Sequence, residues 1–160
     1  MHIVAAKAVA FGEALTPEFQ EYSLQVLKNA KAMEKVFHSH NIRLLTGGTD
    51  NHLLLADVWG SLGVTGKEAQ TVLDEVGITL NMNSIADDTR KPLDPSGIRF
   101  GTPAITTRGF CEDDSAYVAE LMIEALKNKD NPTIKTRIRE EIRSLAHKFP
   151  TPDTFIHTTL

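Results

Sequence analysis

The feature that most constrains the fold is an apolar stripe in the first quarter of the 160-residue chain. Its members recur at steps of three and four residues, the spacing that places side chains on one face of an α-helix. Thr16 and Pro17 stand just before it, where a threonine N-cap and a first-turn proline favour a helix start. We predict a helix of about 22 residues that ends near His38–Asn41. The stripe consists of Phe19, Tyr22, Val26, Ala30, Met33 and Phe37.

A second, alanine-rich segment precedes this helix. Residues Ile3–Leu15 read as helical, and Gly12 with Thr16 and Pro17 mark the end of the segment. Its alanines supply little apolar bulk, which suits close packing against another helix or subunit. We therefore predict that residues 1–40 form two helices that need a partner surface.

The rest of the chain alternates short apolar runs with helical patterns, which predicts an α+β class. We expect a short, mainly antiparallel sheet covered by helices over residues 41–150, with the two helices of residues 1–40 before it and a tail over 151–160. The two runs at 42–45 and 52–58 are expected to pair antiparallel. The predicted elements are strands at 42–45, 52–58, 78–82 and around Arg99, helices at 66–76, 112–128 and 134–145, and a long loop at 83–95.

Composition narrows the class of partner. The formal net charge of -4 gives no reason to expect nucleic acid or an anionic membrane as partner. No apolar run is long enough to span a bilayer, and the first residues do not resemble a secretory leader. A single cysteine, Cys111, excludes an internal disulfide and fits a reducing compartment. We expect a cytoplasmic protein.

Several local motifs favour structure over chemistry. Gly66 and Lys67 resemble the end of a phosphate loop, but Glu68 stands where that loop requires Ser or Thr. Thr65 and Glu68 instead have the spacing of a capping box at a helix start, and Gly77 is the expected C-cap.

The other candidate ligands and nucleophiles give no complete constellation. His38 and His40 lie two residues apart and share no helix face. Asp87 and Asp88 lack the alternation of a calcium loop and favour a solvated loop. Cys111 lies near a predicted helix start, where a thiolate is favoured, and Asp50 and Asn51 could orient His52. A bystander thiol and a structural histidine are nevertheless the favoured interpretations, so we predict no catalytic residue and no metal site.

The segment 96–109 has a different character, because Arg99 stands between apolar residues with Gly97 and Gly101 on either side. Alternation along a strand sends the guanidinium to the face opposite Ile98 and Phe100. The flanking glycines would let a ligand approach the backbone. A planar, permanently charged fork of donors suits a carboxylate or a phosphate. A solvated edge-strand arginine and a structural ion pair are the alternative interpretations.

Three motifs in order resemble serine hydroxymethyltransferase, the pyridoxal-phosphate enzyme that interconverts serine and glycine using tetrahydrofolate. They are TGGTDNHL at 46–53, LGVTGKEA at 62–69 and SGIRFGTPA at 96–104, and the resemblance extends from the HIVAAKAVA segment at 2–10 to about residue 150. It implies the small C-terminal domain of a fold-type I enzyme and a homo-oligomer, dimer or tetramer. It also implies that Arg99 binds the carboxylate of the amino acid and that Asn83 binds the pterin ring of the folate.

The resemblance covers only the C-terminal part of that family. The family's Schiff-base lysine follows a Thr-Thr-His run, which this sequence lacks, and none of the ten lysines has a recognisable claim to the role. The residues that hold the pyridine ring and most of the phosphate of the cofactor also lie upstream in the family. We therefore expect half a site and an inactive isolated chain. A non-catalytic oligomerising or ligand-binding fragment, and the small domain of another pyridoxal-phosphate enzyme such as an aminotransferase, are the alternatives.

Overall fold

The computed structural model describes residues 1–152, so residues 153–160 of the predicted tail 151–160 lie outside the described residues. A 3-10 turn, Leu45–Gly47, follows the first strand. The helices and strands, in chain order, are α1 His2–Ala14, α2 Pro17–Ser39, β1 Arg43–Leu44, β2 Leu53–Asp57, α3 Val58–Leu62, α4 Gly66–Glu75, β3 Asn81–Asn83, β4 Gly97–Gly101, α5 Pro103–Thr107, α6 Glu112–Lys127 and α7 Pro132–Lys148.

The four strands form one sheet in the order β1-β2-β4-β3, and every neighbouring pair is antiparallel. The predicted α+β class with a short antiparallel sheet is confirmed. The predicted pairing of the first two strands is also confirmed, with Leu44 opposite Ala56. Since β4 pairs with both β2 and β3, it lies in the interior of the sheet.

The core lies between one face of the sheet and helices α2, α4 and α6. Leu54 and Ile98 face this core from the sheet, and both side chains are fully buried. The second half of α2 contributes the predicted stripe from Val26 to Phe37. Helix α2 therefore packs with the strands around a common core, and the boundary near residue 40 stays a prediction. The members of the stripe that are buried are Val26, Ala30, Met33 and Phe37.

Phe19 and Tyr22, at the start of the stripe, lie on α2 as predicted but are not buried. Phe19 is 42% exposed, and its ring lies 5.7 Å from the ring of Tyr22. Tyr22 is half-buried because its hydroxyl donates to the main-chain carbonyl of Pro103 at 3.3 Å. Tyr22 therefore contacts α5, and the two rings pack on each other.

Helix α1 has no buried residue. Large apolar side chains stand in solvent along it, with Ile3 60% and Phe11 67% exposed. An apolar helix without a covering surface is normally part of an interface or a larger core. This exposure agrees with the expectation that α1 needs a partner surface.

Helix α4 begins and ends at the capping residues predicted from the sequence. The Thr65 hydroxyl accepts from the main-chain N–H of Glu68 at 3.1 Å, as a capping residue should. Only this half of the predicted capping box forms, because the Glu68 carboxylate pairs with Lys129 at 2.9 Å. Gly77 has a φ of 84° and ends the helix as predicted.

Three short elements differ from the prediction. Strand β3 begins at Asn81 instead of 78, since the Ile78 N–H still donates to the carbonyl of Leu73 and closes α4. Helix α3, which begins at the last residue of the predicted strand 52–58, was not anticipated; it begins there because the Asp57 carboxylate accepts from the N–H of Gly60 at 2.8 Å. Helix α5 was not anticipated, although Pro103 at its first position favours a helix start.

Among the helices of residues 1–152, none combines the length and the apolar character needed to cross a bilayer.

Candidate functional site

One face of the sheet is not covered by the core helices, and Arg99 stands on it. Arg99 is directly opposite Leu55 on β2 and Asn81 on β3. Directly paired residues, and residues two apart on one strand, project from the same face of a sheet. Arg99 is exposed while its neighbour Ile98 is fully buried, so this face points away from the core. We call it the open face.

The Arg99 guanidinium is uncommitted within the described part of the chain. It makes no hydrogen bond and no ion pair with residues 1–152, whereas Arg43 on the same face pairs with Asp57 at 3.3 Å. Strand β4 is an interior strand rather than the edge strand of one alternative interpretation, and no ion pair joins Arg99 to another of residues 1–152. A free bidentate donor on a fixed strand is suited to binding an anion.

Asn83, the second predicted site residue, shares the open face. It ends β3 opposite Gly97, one diagonal step from Arg99, which corresponds to about 7–8 Å between Cα atoms. Its side-chain N–H donates to the carbonyl of Ser84 at 2.6 Å. Its side-chain carbonyl accepts no hydrogen bond from residues 1–152. The amide is thus half satisfied and can still accept from a ligand.

The glycines beside Arg99 are required by packing within the sheet. A Cβ at Gly97 would lie 2.8 Å from the carbonyl oxygen of Asn83 and 3.0 Å from that of Ala56. A Cβ at Gly101 would lie 2.8 Å from the carbonyl oxygen of His52. Both positions are crowded by neighbouring backbone, so larger residues would disturb the sheet itself.

The loop between Asn83 and Arg99 is organised by Asp88, contrary to the prediction of a solvated loop. The Asp88 carboxylate accepts from the main-chain N–H of Ile85 at 3.3 Å, of Arg90 at 2.9 Å and of Ser96 at 2.9 Å. It also accepts from the Ser96 hydroxyl at 2.7 Å. Burial alone would raise the pKa of Asp88, but these bonds, led by those from Ser96, lower it to about 2.

This lowered pKa predicts an acid-sensitive contribution to stability. Because the pKa of Asp88 is lower in the folded chain than its ordinary value of 3.8, the contribution is complete above that value and is lost as the pH falls towards 2. Asp88→Asn should cost about 1–3 kcal/mol at neutral pH. Urea unfolding at several pH values should show the difference between wild type and variant shrinking below about pH 4.

The neighbouring Asp87 provides the control for that measurement. Asp87 is exposed and its carboxylate accepts no hydrogen bond from residues 1–152. Asp87→Asn makes the same change of charge but leaves the hydrogen bonds to Asp88 in place. It should therefore lose stability in acid as the wild type does. Parallel pH profiles for wild type and Asp88→Asn would contradict the assignment.

The loop is also anchored to the starts of two helices. The carbonyl of Pro95 accepts from the N–H of Gly66 at 2.7 Å, and the carbonyl of Ser96 accepts from the N–H of Trp59 at 3.0 Å. The Arg90 guanidinium lies 4.3 Å from the centre of the Trp59 ring. These contacts hold the entry to β4, and hence Arg99, against α3 and α4.

The comparison with protein families identifies the chain. A family model described as serine hydroxymethyltransferase matches residues 1–122, from the start of the chain into α6. The chain belongs to the serine hydroxymethyltransferase family. The match includes Asn83 and Arg99, and it confirms the family expected from the sequence motifs.

Serine hydroxymethyltransferases use pyridoxal phosphate and tetrahydrofolate. A Schiff-base lysine must be desolvated to react at neutral pH. No lysine in this part of the chain is buried, and none lies on the strands of the open face. Asp57, the acid on that face, is already engaged by Arg43 and by the N–H of Gly60. The described residues do not fit the covalent cofactor by themselves.

The remaining candidates from the sequence have structural surroundings. Cys111 is exposed just before α6. His52 is exposed, and its carbonyl accepts from the N–H of Thr102 at 3.1 Å. The His40 ring lies 2.7 Å from a Glu120 oxygen and 3.0 Å from the Lys127 ammonium. Nothing in these contacts adds a nucleophile or a base to the open face.

Proposed function

We propose that this chain supplies the substrate-side part of a serine hydroxymethyltransferase site, in which a one-carbon unit passes between serine and tetrahydrofolate. Arg99 binds the α-carboxylate of serine or glycine, and Asn83 binds the pterin ring of the folate. The observation that carries the proposal is the Arg99 guanidinium on the open face, which forms no hydrogen bond or ion pair with residues 1–152. It lies beside Asn83, whose side-chain carbonyl accepts no hydrogen bond from the same residues.

The chemistry of Arg99 suits a carboxylate in three respects. Its charge is permanent, its two terminal nitrogens match the two carboxylate oxygens, and pairing on both sides of β4 fixes its Cα. Binding at a fixed carboxylate orients the rest of the amino acid. The same anchor serves serine and glycine, because they share this group.

Asn83 suits a pterin edge because an amide both donates and accepts. Its position one diagonal step from Arg99 would place folate next to the amino acid on the same face. Transfer of a one-carbon unit requires that proximity.

The chain alone is proposed to lack catalysis, because its described residues offer no desolvated lysine for pyridoxal phosphate. The lysine and the cofactor contacts come from outside this chain, in a larger polypeptide or another subunit. The exposed apolar surface of α1 is the proposed contact for that assembly or for a homo-oligomer. The single cysteine fits the cytoplasm as the place of action.

The proposal is tested by comparing two ligands that differ only in the carboxylate. Serine, but not ethanolamine, should shift the Arg99 side-chain Nε–H signal of the ¹⁵N-labelled chain. Arg99→Lys keeps the charge and loses the fork, so it should weaken serine binding about tenfold or more. Arg43→Lys is the matched control, since Arg43 stands on the same face but is paired with Asp57, and it should leave serine binding unchanged.

Two results would overturn this assignment: equal shifts with serine and ethanolamine, or equal losses in the two lysine variants. The proposed lack of a Schiff-base lysine is tested on the same samples by adding pyridoxal phosphate, reducing with borohydride and mapping the adducts by mass spectrometry. Scattered, substoichiometric labelling is expected. One lysine labelled to near stoichiometry and protected by serine would show that the chain owns a Schiff base.

A further inference from the structure

We propose that Asp88 is a positioning residue for Asn83, which holds the asparagine at a fixed place relative to Arg99. The consequence for ligand binding rests on the proposed function, because it assumes that Asn83 contacts the folate and Arg99 the amino acid.

Asp88 lies between the ends of β3 and β4. Asn83 and Gly97 form the last ladder pair of β3 and β4. Directly beyond that pair, one carboxylate accepts from the N–H of Ile85 on the β3 side and from the N–H and hydroxyl of Ser96 on the β4 side. Asp88 therefore closes the end of the ladder at which Asn83 lies.

Strand pairing holds Arg99 more firmly than it holds Asn83. Arg99 lies in the interior of the sheet, paired with Leu55 on one side and Asn81 on the other. Asn83 is the terminal residue of a three-residue edge strand, paired on one side only. Terminal residues of short edge strands are the first to open. Loss of the Asp88 bonds should thus release Asn83 and leave Arg99 in place.

The hydrogen bonds around Asp88 require a carboxylate at this position. All four groups that face Asp88 are donors, so an acceptor with several lone pairs satisfies them together. An asparagine at this position has one acceptor oxygen, and its amide N–H₂ would meet donors. Ser96 is buried, so its N–H could not turn to bulk water.

The test compares Asp88→Asn with Asp87→Asn by NMR of the ¹⁵N-labelled chain. Asp87 is adjacent, exposed and left-handed with a φ of 55°, a conformation that asparagine tolerates. In Asp88→Asn, amide exchange at Ile85 and Ser96 should accelerate about tenfold or more, and the side-chain signals of Asn83 should move or broaden. Exchange at Arg99 should change less than about twofold, and Asp87→Asn should match wild type throughout.

The ligand measurement separates positioning from a general loss of structure. Tetrahydrofolate affinity should fall about tenfold in Asp88→Asn while serine affinity stays within about twofold. Equal losses for both ligands, or Asn83 signals identical in the two variants, would overturn the proposal. If Asp88→Asn does not fold, Ser96→Ala removes only the hydroxyl bond and should give the same selective pattern at a smaller size.

Failure of the proposed function gives a different result. If tetrahydrofolate does not perturb Asn83 in the wild-type chain, the folate role is wrong. The exchange rates at Ile85, Asn83 and Arg99 still decide whether Asp88 positions the asparagine.

Discussion

Gly66→Ala is expected to lower the free energy of unfolding by about 3 kcal/mol, one of the two largest effects anticipated for a single substitution in this chain. Gly66 is the first residue of α4, and its N–H donates to the carbonyl of Pro95 at 2.7 Å. A Cβ there would lie well inside van der Waals contact with the carbonyl oxygen of Gly97 and 3.0 Å from that of Pro95. Both obstacles are backbone atoms, so neither can turn aside as a side chain would.

The consequence reaches the open face. Relief of the clash must move either the start of α4 or the start of β4, and β4 carries Arg99 two residues after Gly97. We therefore expect the destabilised variant to bind serine more weakly as well. Urea unfolding followed by circular dichroism measures the first effect, and the serine titration measures the second.

Gly12→Ala is the matched control for Gly66→Ala. Gly12 lies inside α1, and a Cβ there would meet nothing within 4 Å. Alanine should be neutral or stabilise by up to about 1 kcal/mol, since glycine is a poor helix former. Equal stability of the Gly66→Ala variant and wild type would show that helix and strand are not in close contact.

Asn29→Ala should cost a similar amount, about 3 kcal/mol, for a different physical reason. Asn29 is fully buried on α2. Its amide donates to the Thr106 hydroxyl and to the carbonyl of Phe110, both at 2.9 Å, and its oxygen accepts from Gln25 at 2.9 Å. Alanine would leave a buried carbonyl without its donor and a small cavity beside it.

The control for Asn29→Ala is the preceding residue of the helix. Lys28 is exposed, so Lys28→Ala should change the free energy of unfolding by less than about 0.5 kcal/mol. The two unfolding curves should be compared at one urea concentration range and one pH. A loss below about 1 kcal/mol for Asn29→Ala would mean that solvent reaches this site and replaces the lost donor.

The network around Asn29 explains why α2 and the site are linked. Thr102, the residue after β4, donates from its hydroxyl to the carbonyl of Val26 at 2.8 Å. Asn29 then holds Thr106, near the end of α5, and Phe110, shortly before the start of α6. The exit of the Arg99 strand is thereby tied to α2, much as its entry is tied to α3 and α4.

The sequence by itself determined the features whose causes lie within a few residues. The stripe from Val26 to Phe37, the Thr65 cap and the glycine stop at Gly77 each act over one or two helical turns, and all three appear as predicted. The identity of the family also came from local motifs. Arg99 could be singled out because its charge and shape suit an anion whatever surrounds it.

Tertiary structure alone decided how those parts combine. That β4 is an interior strand, that Asn83 lies on the same face as Arg99, and that Asp88 joins both strands all depend on pairing between distant segments. Strand register and loop hydrogen bonds are set by which backbone groups meet after packing, so composition and spacing do not encode them locally. Likewise, the crowding at Gly66 arises only where α4 meets the start of β4, and the crowding at Gly97 arises only where β4 lies between β2 and β3.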